Sequence, residues 1–150
     1  MTIDRESELN LAADVPAAGQ FLLARGGRLH EPLNGDRGTW WAQLHPARDL
    51  TETYFVRIAW TIYPDAPPSI KFAPSLGGPL TEPSAWPVAP GYRATCLDVC
   101  KPFTAEGFAL HPDWCRTNQA WRGEGNPFVA VVRELQRDLN GPGYSGRFKP

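Results

Sequence analysis

A chain of 150 residues, 42% hydrophobic and 21% charged, is long enough for one core and too apolar to stay disordered. Its formal net charge of -1 argues against a nucleic-acid protein, because phosphate binding normally shows as a basic surplus. No apolar run approaches the roughly 20 residues of a membrane span, and the polar start MTIDRESELN does not read as a secretory signal.

Three cysteines without such a signal read as free thiols in a reducing, cytoplasmic setting rather than as a disulfide framework. Sixteen prolines and fourteen glycines imply many turns and demote an all-helical fold. In chain order, residues 4–13 compose a short helix that Pro16 and Gly19 should end. QFLLAR (20–25) reads as a short strand, Gly26-Gly27 as a turn, and RLHEPL as the return. TWWAQLHP (39–46) reads as a strand with Trp40, Ala42 and Leu44 on one face. ETYFVRIAWTIY gives the clearest alternation, with Tyr54, Val56, Ile58, Trp60 and Ile62 on one side, as in an antiparallel meander. A proline turn, YPDAPP, then leads into a short strand, SIKF (69–72). Residues 73–92 read as irregular connection.

Residues 92–114 show neither strand alternation nor helical periodicity, yet they are rich in Cys, Phe and Trp. A long irregular stretch of that composition reads as functional rather than as linker. A helix follows: Asn126 as N-cap, Pro127 in the first turn, and Phe128, Val131, Val132, Leu135 and Leu139 on one face, with Gly141-Pro142 as the stop. The whole is one domain, residues 1–150, of α+β class: a four-stranded antiparallel meander with flanking helices.

These residues together resemble the ubiquitin-conjugating enzyme family. The carriers are TYFVRIAWTIYPDAPPSIKF, similar to the family's strand, Tyr-Pro…Pro-Pro turn and following strand, and CLDV (96–99), similar to its active-site Cys-Leu-Asp-Ile, lying 24 positions after Phe72. The resemblance covers most of residues 4–140. It implies a ubiquitin-conjugating-like fold and a transferase that carries a ubiquitin-like modifier as a thioester on Cys96. The implied partners are that modifier, an activating enzyme, a ligase and a protein substrate. No cofactor, metal, nucleic acid or membrane enters this reading.

Several positions depart from the family. The window where its His-Pro-Asn should stand is Trp86-Pro87-Val88; Asp65 follows Tyr-Pro where a Phe is common; and the first helix is acidic. A divergent branch of the family also lacks that tripeptide and carries His-Pro-Asp after its cysteine, which His111-Pro112-Asp113 resembles. His111 is therefore the candidate to assist the oxyanion or the incoming amine in place of the missing asparagine. The absence of a membrane tail and the Ala/Arg/Gly/Pro-rich composition point to a bacterial member.

Cys96 as nucleophile fits the chemistry, since thiol exchange needs a partly exposed thiol and little acid-base help. Two alternatives stand beside it: a non-catalytic variant that binds a ubiquitin-like protein as a scaffold, and a zinc-stabilised binding domain. The latter would use Cys96, Cys100, His111 and Cys115, spaced C-x3-C-x10-H-x3-C. Cys100 is also a candidate resolving thiol for Cys96.

Overall fold

A computed structural model describes residues 3–150. Asp4 opens the first helix, α1 (Arg5–Leu23), accepting hydrogen bonds from the Ser7 N–H at 2.8 Å and the Ser7 hydroxyl at 2.9 Å. Those bonds hold the Asp4 carboxyl below its ordinary range.

α1 is longer than the expected residues 4–13. It runs through Pro16 and Gly19 and absorbs 20–23 as its final turn, with 24–25 in the turn that follows, instead of releasing 20–25 as a strand. Pro16 forfeits one backbone hydrogen bond, but Leu11, Ala18 and Leu22, spaced i, i+7, i+11, are all buried, with Val15 packed beside them. Burial of that stripe outweighs the lost bond. The helix stops where Gly26 enters the left-handed region and the Gly27 N–H returns to the Leu22 carbonyl at 2.9 Å. Gly27 admits no side chain, because a Cβ there would lie 2.3 Å from the Gln43 carbonyl oxygen.

The meander forms as expected. Strands β1 (Arg28–His30), β2 (Thr39–Leu44), β3 (Tyr54–Ala59) and β4 (Ser69–Ala73) make one antiparallel sheet in the order β1-β2-β3-β4. Its register aligns Trp40 with Ile58, Ala42 with Val56, Val56 with Phe72 and Ile58 with Ile70, so one face is apolar throughout. α1 and the C-terminal helix α3 (Pro127–Asn140) cover that face in one core. α3 matches its expected cap and stripe: Asn126 accepts from the Val129 N–H at 3.0 Å, and Phe128, Val131, Val132, Leu135 and Leu139 are buried. The β3 alternation ends earlier than expected. Trp60 is buried just past the strand, but the chain then turns into Tyr63-Pro64, a cis peptide, and leaves Ile62 54% exposed. The face opposite the core is not open either. Trp41 is buried there between its cross-strand neighbours His30 and Arg57.

Tyr63 joins the pieces. Its N–H donates to the Ser7 hydroxyl of α1 at 3.0 Å, and its hydroxyl donates to Asp14 of α1 at 2.5 Å. The same hydroxyl accepts from the Phe128 N–H, at the start of α3, at 3.2 Å. Its ring meets Trp60 edge-on at 4.7 Å. The C-terminal segment is tied down as well. Arg147 binds Glu52 and the Thr53 carbonyl, and the Phe148 N–H donates to the Trp86 carbonyl at 2.8 Å.

Tyr54, Tyr63 and Tyr92 are buried, and desolvation raises each phenol well above its ordinary value. Below about pH 10 both folded and unfolded chains keep these protons, so the three contribute no pH dependence. Above it the unfolded chain releases them and the folded chain does not. Stability should then fall by about 1.4 kcal/mol per pH unit for each phenol. Denaturant midpoints across alkaline pH, with phenolate absorbance in parallel, check this; phenolate signal from all three near pH 10 in still-folded protein contradicts it.

Candidate active site

The stretch expected to be irregular contains regular structure. β5 (Tyr92–Arg93) and β6 (Asp98–Val99) form a small antiparallel hairpin, closed at its base by the Cys100 N–H donating to the Gly91 carbonyl at 2.7 Å. A short helix, α2 (Ala105–Leu110), and a 3-10 turn, Pro112–Arg116, follow. The elements are too short for periodicity to reveal them.

Cys96 sits in the loop at the hairpin tip. Its N–H donates to the Arg93 carbonyl at 3.0 Å, and the Leu97 N–H donates to the Ala94 carbonyl at 3.3 Å. Leu97 then adopts φ 59°, a left-handed conformation that costs an L-residue roughly 1–2 kcal/mol. The loop is held from outside: Lys71 on β4 donates its Nζ to the Leu97 carbonyl at 2.6 Å. Cys96 is exposed, and among the described residues its thiol has no hydrogen-bond partner.

Three further contacts fix the hairpin. Tyr92 faces inward against Phe72 of β4, with ring centroids 6.0 Å apart, and its hydroxyl donates to Asp138 on α3 at 2.7 Å. Lys101 reaches the same carboxylate at 3.8 Å. Thr104 donates its hydroxyl to the Val99 carbonyl of β6 while accepting the Gly107 N–H at 2.9 Å as the N-cap of α2. α2 itself is pinned to the free edge of β4. The Ala105 N–H donates to the Pro68 carbonyl at 2.8 Å, and Glu106 accepts from the Ile70 N–H at 3.1 Å and from the Ser69 hydroxyl. Arg57 donates to that hydroxyl from β3, and burial lowers its guanidinium pKa. At Gly107 a Cβ would stand 2.2 Å from the Lys101 carbonyl oxygen, so only glycine lets α2 fold back this closely.

On the outward face of the hairpin, Arg93 and Asp98 pair side by side, with Nε–Oδ1 at 2.7 Å and Nη2–Oδ2 at 2.6 Å. Bonding to Asp98 raises the Arg93 pKa further, and the Coulomb interaction with Cys96 and Cys100 adds to it.

The other expected site residues do not converge on Cys96. His111 is exposed at the C-terminal end of α2, its ring stacked on Trp114 at 4.4 Å and 18°, and no hydrogen bond among the described residues joins it to Cys96. Cys100 lies half-buried at the hairpin base, and Cys115 is exposed in the 3-10 turn; all three cysteines are free. Among the described residues no group of three or more His, Cys, Asp or Glu side chains is placed to hold a metal. The closed zinc site drawn from C-x3-C-x10-H-x3-C is therefore not formed. Trp86, in the window where the resemblance would place His-Pro-Asn, is fully buried and packs on Phe72 at 5.0 Å.

No protein-family model matches the chain, and no curated protein or solved structure matches it either. The geometry around Cys96 thus carries the functional argument. Lys71, Tyr92, Arg93, Thr104 and Glu106 brace the candidate site; the last four lie in the stretch 92–114, which the sequence marked as a whole but not at these positions. Lys71 gave the one available signal, a cation on the polar phase of a strand, between the apolar Ile70 and Phe72.

Lys71→Met keeps the aliphatic stem and removes the bond to Leu97. It should lower stability by about 2 kcal/mol, the scale of a charged hydrogen bond, read as a denaturant midpoint. It should also raise amide exchange at Cys96 and Leu97; unchanged protection there would show that Lys71 does not hold the loop.

Proposed function

We propose that this chain is a ubiquitin-conjugating-like transferase that carries a ubiquitin-like protein as a thioester on Cys96 and passes it to a target amine. The observation that carries the reading is the setting of the thiol: exposed, without a partner among the described residues, and presented by a hairpin braced against β4, α2 and α3. A carrier thiol must be reached in turn by two large proteins, and an exposed thiol on a braced loop meets that need. It does not need a resident base, because thiol exchange transfers the acyl group between sulfurs of similar basicity.

The modifier, an activating enzyme, a ligase and a protein substrate are the partners of this reading, and a bacterial cytoplasm, where thiols stay reduced, is its setting. Among the described residues no helix is long and apolar enough to cross a membrane. His111 keeps a place as the candidate helper of aminolysis, a step separate from loading.

A second reading, a scaffold that binds a ubiquitin-like protein without reacting, draws support from Val88. It stands where the resemblance would put the asparagine that serves catalysis, and its side chain has no hydrogen-bond donor.

Incubation with a panel of ubiquitin-like modifiers, their activating enzymes and ATP should give a thiol-sensitive adduct on a non-reducing gel. Cys96→Ala should abolish it, and Cys96→Ser should convert it to a thiol-resistant ester. His111→Ala should load normally and discharge to lysine more slowly. An adduct that survives on Cys96→Ala rejects the carrier role, and no adduct with any modifier, together with a Cys96 alkylated no faster than a model thiol, favours the scaffold.

A further inference from the structure

We propose that Arg93 is the oxyanion donor of the Cys96 centre, a role that rests on the thioester reading above. The chain has no asparagine in the window ten residues before Cys96, and His111 makes no bond to that cysteine among the described residues. A tetrahedral intermediate on a Cys96 thioester nevertheless places a negative oxygen one bond from the carbon that Sγ holds. It needs a fixed donor there.

Arg93 meets the requirements of position, orientation and vacancy. Position comes from the turn: the Cys96 N–H bonds the Arg93 carbonyl at 3.0 Å, which closes a tight turn and keeps the two Cα atoms within about 7 Å. Orientation comes from Asp98. Its carboxylate takes Nε–H and one Nη2–H of the guanidinium in a side-by-side pair and so fixes the plane of the group. Vacancy follows from counting donors. A guanidinium has five N–H groups, and this pair uses two. The side chain is 41% exposed on the outward face of the hairpin, whereas Asp98 is 15% exposed, so the free edge points away from the carboxylate and toward solvent.

The step balances without any further reagent. The target amine nitrogen bonds the acyl carbon, and the carbonyl π pair moves onto oxygen, where an Arg93 N–H donates to it. As that pair returns, the carbon–sulfur bond breaks, Cys96 leaves as thiolate, and the new ammonium gives its proton to water. Asp98 acts as a positioning residue, holding Arg93 without touching the acyl group.

The test uses the 150-residue chain as a Cys100→Ser, Cys115→Ser parent, in which Cys96 is the one remaining thiol. An acetyl-glycyl aryl thioester acylates Cys96, and mass spectrometry follows discharge to free lysine. Arg93→Gln should slow discharge by about 100-fold, the scale for losing one oxyanion donor. Alkylation of Cys96 by iodoacetamide, which develops no oxyanion, should change by less than about twofold. Arg93→Lys, which keeps the charge but not the planar fork, should fall between and serves if the Gln variant does not fold. Wild-type discharge in either folded variant overturns the proposal. So does an equal loss in discharge and alkylation, or a parent that discharges no faster than a small cysteine thioester. Loading by an activating enzyme with unaltered Arg93→Gln discharge removes Arg93 and leaves the carrier reading standing. A discharge defect on the glycyl thioester, in a protein that no activating enzyme loads, does the reverse.

Discussion

The free edge of β4 governs the arrangement of the candidate site. A four-stranded sheet in sequence order leaves its last strand with backbone groups that β3 cannot satisfy. Unpaired, the Pro68 carbonyl and the Ile70 N–H would invite another strand. Instead the chain brings α2 against them: the Ala105 N–H meets one, and Glu106 meets the other. Covering the edge this way fixes where α2 begins, and Thr104, the cap of that helix, in turn holds the Val99 carbonyl of β6. Lys71, one residue along the same strand, reaches across to Leu97. The hairpin that displays Cys96 is therefore positioned by the need to close a sheet edge, and the display of a thiol follows from a structural necessity.

The other half of the molecule depends on Tyr63 in a similar way. Its backbone and hydroxyl bind two points on α1 and the first turn of α3, so the proline turn between β3 and β4 sets how both helices lie on the sheet. That arrangement explains why α1 continues past Pro16. Ser7 and Asp14, both Tyr63 partners, lie on the N-terminal side of the proline, and the buried Ala18 and Leu22 lie beyond it. Breaking the helix at Pro16 would free one set of contacts or the other. One missing backbone hydrogen bond costs less than either.

How far this was legible in the sequence follows from which signals act over short range. Period-two alternation exposed β2, β3 and β4, and a cap, a first-turn proline and an amphipathic stripe exposed α3. The length of α1 was hidden because one inward position, Ser7, is polar and another, Ala18, carries little apolar surface, while Pro16 gave a strong but misleading stop. QFLLAR looked like a strand because Leu23, 60% exposed, sits beside the buried Leu22. Cys96 stood out as the candidate nucleophile from its flanking residues, and the structure leaves its thiol exposed. Its supports were not legible: Lys71 and Asp138 come to the hairpin through long-range packing, and Thr104 and Glu106 belong to a helix too short to leave a periodic pattern. The convergence of Cys96, Cys100, His111 and Cys115 suggested by spacing failed for the same reason: the hairpin and α2 carry these residues to different places.

The supports also divide the chemistry that this site would have to perform. Accepting an acyl group from another thioester asks chiefly for access and a defined direction of approach, and the braced tip supplies both. Giving it up to an amine asks for more, because the amine is more basic than the departing thiolate and the intermediate carries its charge on oxygen. Lys71 gives one of its three donors to the Leu97 carbonyl and Lys101 lies 3.8 Å from Asp138, so each ammonium is tethered at a single point about which it can turn. Arg93 differs from both in having a carboxylate partner that uses two donors and leaves three. A lysine at that position would turn about its long stem; a guanidinium clamped by Asp98 presents its remaining edge in one plane. The same pair that stiffens the hairpin thus leaves three guanidinium donors unspent in the turn that carries Cys96, so that one contact would serve both the fold and the proposed chemistry.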